Sequence, residues 1–161
     1  MIGFVARLLG RGAPVLGETV PRDAAAIAAL HAQSFRRGWS EDEVERLLID
    51  RNVLGHRAMA GRAMAGVILS RFAAGEAEIL SVAVGRRWRG HGLARRLLDL
   101  HLRRLAGLGV GAVFLEVEED NVSACRLYDR AGFREVGRRQ GYYPRDTGAA
   151  ASALVLRRDL A

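Results

Sequence analysis

The amino-acid sequence predicts an α+β fold with one central β-sheet. Short segments rich in Val and Ile are typical of strands, other segments repeat their apolar residues at helical spacing, and glycine-containing turns separate many of them. At 161 residues, the chain is long enough for one hydrophobic core but not for two. The predicted order is strand, two helices, three strands, helix, strand, helix and two strands. This order gives a mixed, mostly antiparallel sheet of about seven strands flanked by about four helices.

The N-terminal residues differ in character from the rest of the chain. Residues 1–14 are small, basic and interrupted by glycine, so we expect a flexible extension before a single domain over residues 15–161. Arg7 interrupts their short apolar stretch, which does not resemble a secretory signal. No apolar stretch approaches the roughly 20 residues of a membrane span. We therefore expect a cytoplasmic protein with no membrane partner.

The first predicted elements are one strand and two helices. The strand covers Val15 to Val20. Asp23 is the predicted cap of a helix that continues to Phe35 through an alanine-rich run. Ser40 and Glu43 have the spacing of a capping box, which predicts that a second helix begins there.

Three strands, two helices and the last pair of strands follow. Gly61 separates the second strand from the third, and the turn at residues 73–75 precedes the fourth. The predicted bounds are strands over Val53–Ala60, Ala63–Phe72 and Ala77–Val84, a helix from Gly92 to Ala106, a strand over Val110–Val117, a helix over Val122–Arg130 capped by Asn121, and strands over Phe133–Tyr143 and Ala153–Arg158.

Charge and cysteine content narrow the classes of partner. The net charge is +7, and all 25 basic residues are arginine. This balance suits an acidic ligand or nucleic acid, although a codon preference for arginine would produce it too. Only 6% of residues are aromatic and no basic-aromatic alternation marks a nucleic-acid-binding face. Cys125 is the single cysteine, and with the four histidines it has no metal-ligand spacing, so we expect no metal.

The segment from Ile79 to Ala94 predicts a binding site for an anion. An apolar run to Val84 leads into a basic turn, and apolar residues recur at helical spacing after Gly92. Gly90 and Gly92 allow the backbone to turn tightly and to approach a ligand. The first turn of a helix presents unpaired N–H groups and a partial positive charge. A phosphate group fits such a site.

A second informative segment contains a carboxylate in an otherwise apolar strand. Glu116 shares a strand face with Ala112 and Phe114, so we expect it to be partly buried, which would make it a stronger base. The alternative is a solvated carboxylate at the end of a strand, a role that suits Glu118 and Glu119.

Residues 89–94, Arg-Gly-His-Gly-Leu-Ala, fit the pattern Arg-x-x-Gly-x-Ala and resemble the acetyl-CoA motif of the GNAT N-acetyltransferases. The resemblance implies the GNAT fold and acetyl-CoA as cosubstrate, with the pyrophosphate held by backbone amides of the turn and the pantetheine arm paired with the preceding strand. A Rossmann unit fits poorly, because Arg95 stands where its third glycine is needed. The residues that the resemblance assigns to acetyl-CoA are Val82, Ala83, Val84, Arg89, Gly90, His91, Gly92, Leu93, Ala94 and Asn121.

The region around Glu116 is similar to the RimI branch of this family. The motifs that carry the similarity are Leu115-Glu116-Val117, Asn121, Leu127-Tyr128, Gly132-Phe133, Arg138-Arg139 and Tyr142-Tyr143. They imply acetyl transfer to the N-terminal alanine of a small-subunit ribosomal protein, by direct attack in a ternary complex, with Glu116 as general base and Tyr128 as general acid. Glu76 and Glu78 are the alternative bases, since some branches of the family have theirs near this position. Without the resemblance, Tyr128 would be interpreted as a core aromatic, since it has the spacing of a packed helical face.

The same resemblance places residues 35–40 and 140–143 beside the acceptor peptide. Trp39 and Tyr142 are the first candidates for substrate binding, and loop packing is the alternative. The acceptor remains open because Ala151–Leu154 lacks an acidic residue that relatives often have. Another amine, such as a lysine side chain or a polyamine, is one alternative, and a noncatalytic basic ribosome-binding module is a second. We expect a monomer whose partners are acetyl-CoA and a ribosomal protein.

Overall fold

The computed structural model describes residues 12–143 and 145–160, so most of the predicted N-terminal extension lies outside the described residues. The elements are β1 (Val15–Glu18), α1 (Ala24–Ser34), α2 (Glu41–Ile49), β2 (Val53–Ala60), β3 (Ala63–Ala73), β4 (Glu76–Val84), α3 (Leu93–Gly107), β5 (Ala112–Glu118), α4 (Val122–Arg130), β6 (Arg134–Tyr143) and β7 (Ala151–Asp159). Short 3-10 turns at Pro21–Asp23 and Arg86–Trp88 precede α1 and follow β4.

The strands form one seven-stranded sheet in the order β1-β2-β3-β4-β5-β7-β6. Neighbouring strands are antiparallel except β4 and β5, which are parallel. This confirms the predicted fold class, a mixed and mostly antiparallel sheet with helices packed against it. No helix in the described part of the chain is long and apolar enough to cross a membrane.

The parallel pair at the centre of the sheet separates partway along its length. β4 and β5 pair at only three positions, the last of which joins Glu78 to Phe114. Beyond that position β4 keeps its partner β3 but has none on the β5 side. A β-bulge at Leu80 accompanies the separation, because Ile79 and Ser81 pair with consecutive residues of β3. The second half of β4 therefore presents free backbone groups to the gap between the two strands.

The helices cover the two faces of the sheet unequally. The larger core lies between the sheet and α3, whose leucines Leu97, Leu98 and Leu105 are fully buried. Burial of each such side chain contributes roughly 2 kcal/mol to folding. The smaller core lies on the other face, where Ile27 of α1 and Val44 of α2 pack near Ala83. Each face thus carries its own helical layer, and the gap beside β4 lies between them.

A buried polar chain of three side chains lies within the larger core. The Nδ1 atoms of His56 on β2 and His101 on α3 are 2.8 Å apart, and the Nε2 atom of His101 lies 2.7 Å from the Ser70 hydroxyl on β3. Burial lowers the pKa of His101 to about 3, so the ring is neutral at physiological pH. The chain links α3 to two strands by hydrogen bonds that the hydrophobic pattern does not reveal.

Several predicted boundaries differ from those observed by one or two residues; β1, for example, ends at Glu18 rather than Val20, and β7 begins at Ala151 rather than Ala153. Asp23 does not cap α1 with its side chain; its carboxylate accepts a hydrogen bond from the Val20 N–H at 2.7 Å and pairs with Arg57, because the 3-10 turn continues directly into the helix. β5 begins at Ala112 rather than Val110, because the Val110 N–H bonds to the Leu105 carbonyl at the end of α3. The predicted caps at Ser40 and Asn121 are confirmed by their hydrogen bonds.

Candidate functional site

A cavity of about 960 Å³ lies where β4 ends, between the N-terminus of α3 and the length of α4. It brings together segments that are far apart in the sequence, from Ser34 at the end of α1 to Arg130 at the end of α4. Every residue assigned to acetyl-CoA by sequence except His91 lines this cavity: Val82, Ala83, Val84, Arg89, Gly90, Gly92, Leu93, Ala94 and Asn121.

The turn between β4 and α3 has a backbone that favours glycine. Gly90 and Gly92 have φ angles of +77° and +76°, a left-handed conformation that costs other residues about 1 to 2 kcal/mol. Gly92 is the N-cap of α3, so the first N–H groups of the helix point out of its N-terminus. The Arg89 guanidinium donates from Nε to the Val84 carbonyl at 2.9 Å, and this bond ties the turn to the end of β4.

Tyr128 forms part of the cavity wall from α4. Only 7% of the residue is exposed, and its ring makes an edge contact with Phe133 at a centroid distance of 5.6 Å. Burial raises the pKa of its hydroxyl to about 12. The Tyr128 hydroxyl therefore carries its proton at neutral pH and is available as a donor.

Asn121 and Cys125 lie on the same helix, and they differ in their relation to the cavity. The Asn121 side chain caps α4, since its Oδ1 accepts from the Ala124 N–H at 3.2 Å, and the residue also lines the cavity. Cys125 does not line it, and burial raises the pKa of its thiol. A protonated thiol is a poor nucleophile, in agreement with the structural role expected for Cys125.

Glu116 lies beside the gap but outside the cavity. Its side chain is 24% exposed, and its Oε1 lies 2.9 Å from Arg139 Nη2 on β6. Strand alternation places Glu116 on the face opposite Leu115 and Val117, which pack in the larger core with α3. Glu116 thus lies on the face of the sheet that carries α1, and Ser34 and Phe35 at the end of α1 line the cavity from that face. The alternative bases Glu76 and Glu78 are exposed and lie before the separation.

Trp39 packs in the loop between α1 and α2. Its indole stacks on the His31 ring at 4.1 Å, and the backbone N–H of Trp39 donates to His31 Nδ1 at 3.1 Å. His31 also stacks on Phe35 at 4.3 Å, so three rings form one column. Burial lowers the pKa of His31, while Glu43 acts in the opposite direction. Phe35 is the member of the column that lines the cavity.

Tyr142 lies on β6 and is half-exposed, outside the cavity. The Arg139 guanidinium lies 5.2 Å from the centroid of its ring. Arg139 thus contacts both Glu116 and Tyr142. The sequence includes Arg139 in one of the motifs of the resemblance but does not indicate these contacts. The neighbouring Tyr143 has its pKa raised by burial and, to a smaller extent, by Glu116.

Other residues that the sequence analysis missed line the cavity itself. Phe35 was included only in the range 35–40 beside the acceptor peptide, and Arg126 and Arg130 of α4 were not singled out. Their spacing of four residues places the two arginines on one side of a helix, a signal that was present in the sequence. Nothing in the sequence indicated that this side of α4 faces the turn at Gly90 and Gly92.

Two further observations on the described residues concern metal ligands and a second cavity. No group of three or more His, Cys, Asp or Glu residues in residues 12–143 and 145–160 is arranged to hold a metal ion. A second, smaller cavity of about 440 Å³ lies between β1, His56 and α3, and it contains none of the predicted site residues. The larger cavity is therefore the candidate active site.

Comparisons with known proteins agree with this geometry. The [ribosomal protein bS18]-alanine N-acetyltransferase of Haemophilus ducreyi is 32% identical over 81 residues, 50% of this chain and 56% of that protein. The N-alpha-acetyltransferase RimI of Mycobacterium tuberculosis is 42% identical over 84 residues, 52% of this chain and 49% of that protein. The chain thus spans about half the length of the curated relatives it matches.

A solved structure and a family model extend the likeness. The crystal structure of the ribosomal-protein-S18-alanine N-acetyltransferase from Escherichia coli superimposes with a TM-score of 0.84 at 24% identity and covers 91% of this chain and 94% of that one. This shows a shared fold. The model of the acetyltransferase (GNAT) family matches residues 24–133, the segment from α1 through the turn and α4 that builds the cavity, and the chain belongs to that family.

Proposed function

We propose that the protein transfers an acetyl group from acetyl-CoA to the N-terminal α-amine of a small-subunit ribosomal protein that begins with alanine. The observation that carries this proposal is one continuous cavity that joins an anion-binding turn to a protonated tyrosine at the gap in the sheet. The names of the partial relatives support the choice of acceptor. We also propose that the enzyme acts in the cytoplasm as a monomer.

The cavity has the features that acetyl-CoA requires. The first N–H groups of α3 and the turn at Gly90 and Gly92 fit a pyrophosphate. The free edge of β4 at Val82 and Val84 offers backbone groups to the amides of the pantetheine arm. The charged residues that line the cavity, among those described, are all arginines. The lining thus complements an elongated, polyanionic ligand.

The chemistry needs a proton donor and a proton acceptor at separate positions. Acetyl-CoA, when bound, supplies an acetyl group activated as a thioester. The Tyr128 hydroxyl holds a proton at neutral pH and can donate it to a departing thiolate. Glu116 offers carboxylate oxygens on the other side of the gap, where an α-amine could lose its proton directly or through water. Since an α-amine has a pKa of about 7.7 to 8.0, against about 10.4 for lysine, a weaker base is sufficient.

The acceptor would approach from the face that carries Glu116. Arg139 connects Glu116 with Tyr142 there, and Phe35, at one end of the column with His31 and Trp39, lines the cavity beside the end of α1. In this arrangement Tyr142 contacts the peptide from β6. Trp39 acts through His31 to position Phe35, because Trp39 itself does not line the cavity.

The decisive experiment measures acetyl transfer by mass spectrometry. The purified protein is incubated with acetyl-CoA and a peptide that begins with alanine, beside the same peptide with a blocked α-amine and one free lysine. We expect acetylation of the free N-terminus alone. Transfer to lysine alone would replace the proposed acceptor with a side-chain amine and keep the cosubstrate. No transfer to either peptide would contradict the proposal as a whole, and polyamines would then be tested as acceptors.

A further inference from the structure

The charges on the cavity wall point to a second anion position, separate from the turn at Gly90 and Gly92. Four arginines line the cavity: Arg89, Arg95, Arg126 and Arg130. No acidic residue lines it among the residues that the structure describes. The two arginines on the α3 side already have protein partners, since Arg89 donates to the Val84 carbonyl and Arg95 donates to Asp99 at 2.9 Å.

The two arginines on α4 have no such partner. Within residues 12–143 and 145–160, the side chains of Arg126 and Arg130 make no hydrogen bond and no ion pair. They are four residues apart on one helix, where like charges repel and destabilise the helix by a few tenths of a kcal/mol. The negative end of the helix dipole partly explains Arg130, which lies in the last turn, but not Arg126 in the middle. A bound anion would offset the repulsion of the pair.

The ligand of the proposed function carries two separate anionic groups. The pyrophosphate fits the turn and the start of α3, and the ribose 3′-phosphate is the other. Arginine is suited to a phosphate because its planar guanidinium donates two parallel hydrogen bonds. An unpartnered pair of arginines on the wall that faces the turn matches a phosphate displaced from the pyrophosphate.

On the basis of the proposed function, we propose that Arg126 and Arg130 form a subsite for the 3′-phosphate of coenzyme A. The subsite distinguishes coenzyme A from thioesters of pantetheine that lack this phosphate. Its contribution is to binding affinity and selectivity, since neither arginine lies at the reacting groups assigned to Tyr128 and Glu116.

Isothermal titration calorimetry with coenzyme A and with 3′-dephospho-coenzyme A tests the subsite. We expect the unaltered protein to bind coenzyme A about tenfold more tightly than the dephospho form, in keeping with charge-assisted hydrogen bonds at a partly exposed site. The double variant Arg126→Gln/Arg130→Gln should bring the ratio of the two dissociation constants close to one, through weaker binding of coenzyme A alone. Each single variant should give an intermediate ratio.

Arg62→Gln is the matched control, because it removes the same charge from an exposed turn between β2 and β3. Its ratio should remain that of the unaltered protein. A ratio near one for the unaltered protein, or an unchanged ratio in the double variant, would overturn the subsite while leaving the proposed acetyl transfer intact. If neither ligand bound to the unaltered protein, both the subsite and the proposed cosubstrate would be contradicted. Thermal denaturation of each variant verifies that the exposed substitutions leave the fold unaltered.

Discussion

The two sides of the candidate site are built by different means. The cofactor side comprises residues 80–95 and 121–130, and its central turn is a run of consecutive residues that act through their backbone. The proposed acceptor side comprises residues 35–40, Glu116, residues 139–143 and Asp146. It depends on side chains distant in sequence, such as the ion pair of Arg36 with Asp146 and that of Arg139 with Glu116. The cofactor side is thus determined locally, whereas the acceptor side depends on the assembled sheet.

This difference predicts which binding or kinetic constant each substitution will change. Changes on the cofactor side should alter the affinity for acetyl-CoA or the chemical step. Changes on the acceptor side should alter the KM for the peptide, with smaller effects, because exposed ion pairs and loop packing contribute little free energy individually. The variants below test this division.

Replacing Tyr128 by Phe should have the largest effect. Loss of the proton donor is expected to lower kcat about 100-fold, at the lower end of the usual range for general acid catalysis. The dissociation constant of acetyl-CoA should stay within twofold, because the ring remains in the wall. Steady-state kinetics and calorimetry measure the two quantities. Tyr142→Phe removes the same group outside the cavity and should leave kcat unchanged, whereas an unchanged kcat in Tyr128→Phe would remove the hydroxyl from the mechanism.

Gly92→Ala should weaken acetyl-CoA binding about fivefold to tenfold, since an alanine with positive φ costs about 1 kcal/mol or more and the turn would relax away from its conformation. A Cβ at Gly92 meets no other atom, so the effect comes from the backbone and not from a clash. Gly107→Ala at the end of the same helix is the control, because its φ is not positive and its Cβ is also free of contacts. Calorimetry should show unaltered affinity for Gly107→Ala; equal affinities for the two variants would contradict the role of the turn.

Acidification should loosen the acceptor side before the cofactor side. Burial lowers the pKa of His31, so folding favours the neutral ring, which accepts the hydrogen bond from the backbone N–H of Trp39. The stability that this neutral ring contributes is complete above pH 6.5, and it is lost as the pH falls through the pKa of His31 in the folded protein. We expect the peptide KM to rise roughly threefold between pH 7 and pH 5.5 beyond the rise caused by protonation of the amine. The affinity for acetyl-CoA should not follow it.

His31→Asn is the control for this pH dependence. An asparagine keeps an acceptor near the position of Nδ1 but does not titrate, so the ratio of KM values between the two proteins should change with pH. A constant ratio would show that His31 has no such role.

Asp146→Asn should have the smallest effect. Asp146 and Arg36 are largely exposed, and such pairs are worth about 0 to 1 kcal/mol. We expect the peptide KM to rise about twofold at low salt, with no rise at high salt because the interaction is screened. Asp129→Asn on the exposed side of α4 makes the same charge change outside the cavity and should leave KM unaltered. An equal rise in both variants would indicate a general effect of charge.

The sequence predicted most of the fold because its signals are local. Local residues determine where the helices at Ser40 and Asn121 begin and where the chain turns at Gly90 and Gly92. The succession of helices and strands along the chain likewise depends on residues within a few positions of one another. The separation of β4 from β5 could not be predicted in this way. The run from Ile79 to Val84 is uniformly typical of a strand, and the bulge at Leu80 is visible only against its partner β3.

The site could be predicted only in part for the same reason. The residues assigned to acetyl-CoA are nearly continuous in sequence, and all except His91 line one cavity. The roles of Glu116, Tyr128, Trp39 and Tyr142 stay predictions. Arg139 lies 23 positions from Glu116 by residue number, and no periodicity links the two residues before β6 and β7 are paired.

The buried chain of His56, His101 and Ser70 offers a spectroscopic probe of the whole domain. Two Nδ1 atoms separated by 2.8 Å share one hydrogen, so the direction of that bond determines whether His101 Nε2 accepts a hydrogen bond from the Ser70 hydroxyl or donates one to it. Because both rings are buried, this imidazole proton is protected from exchange with water while α3 is packed on the sheet. Its nuclear magnetic resonance signal should therefore persist in water, and its exchange rate would report the opening of the core without any ligand or label.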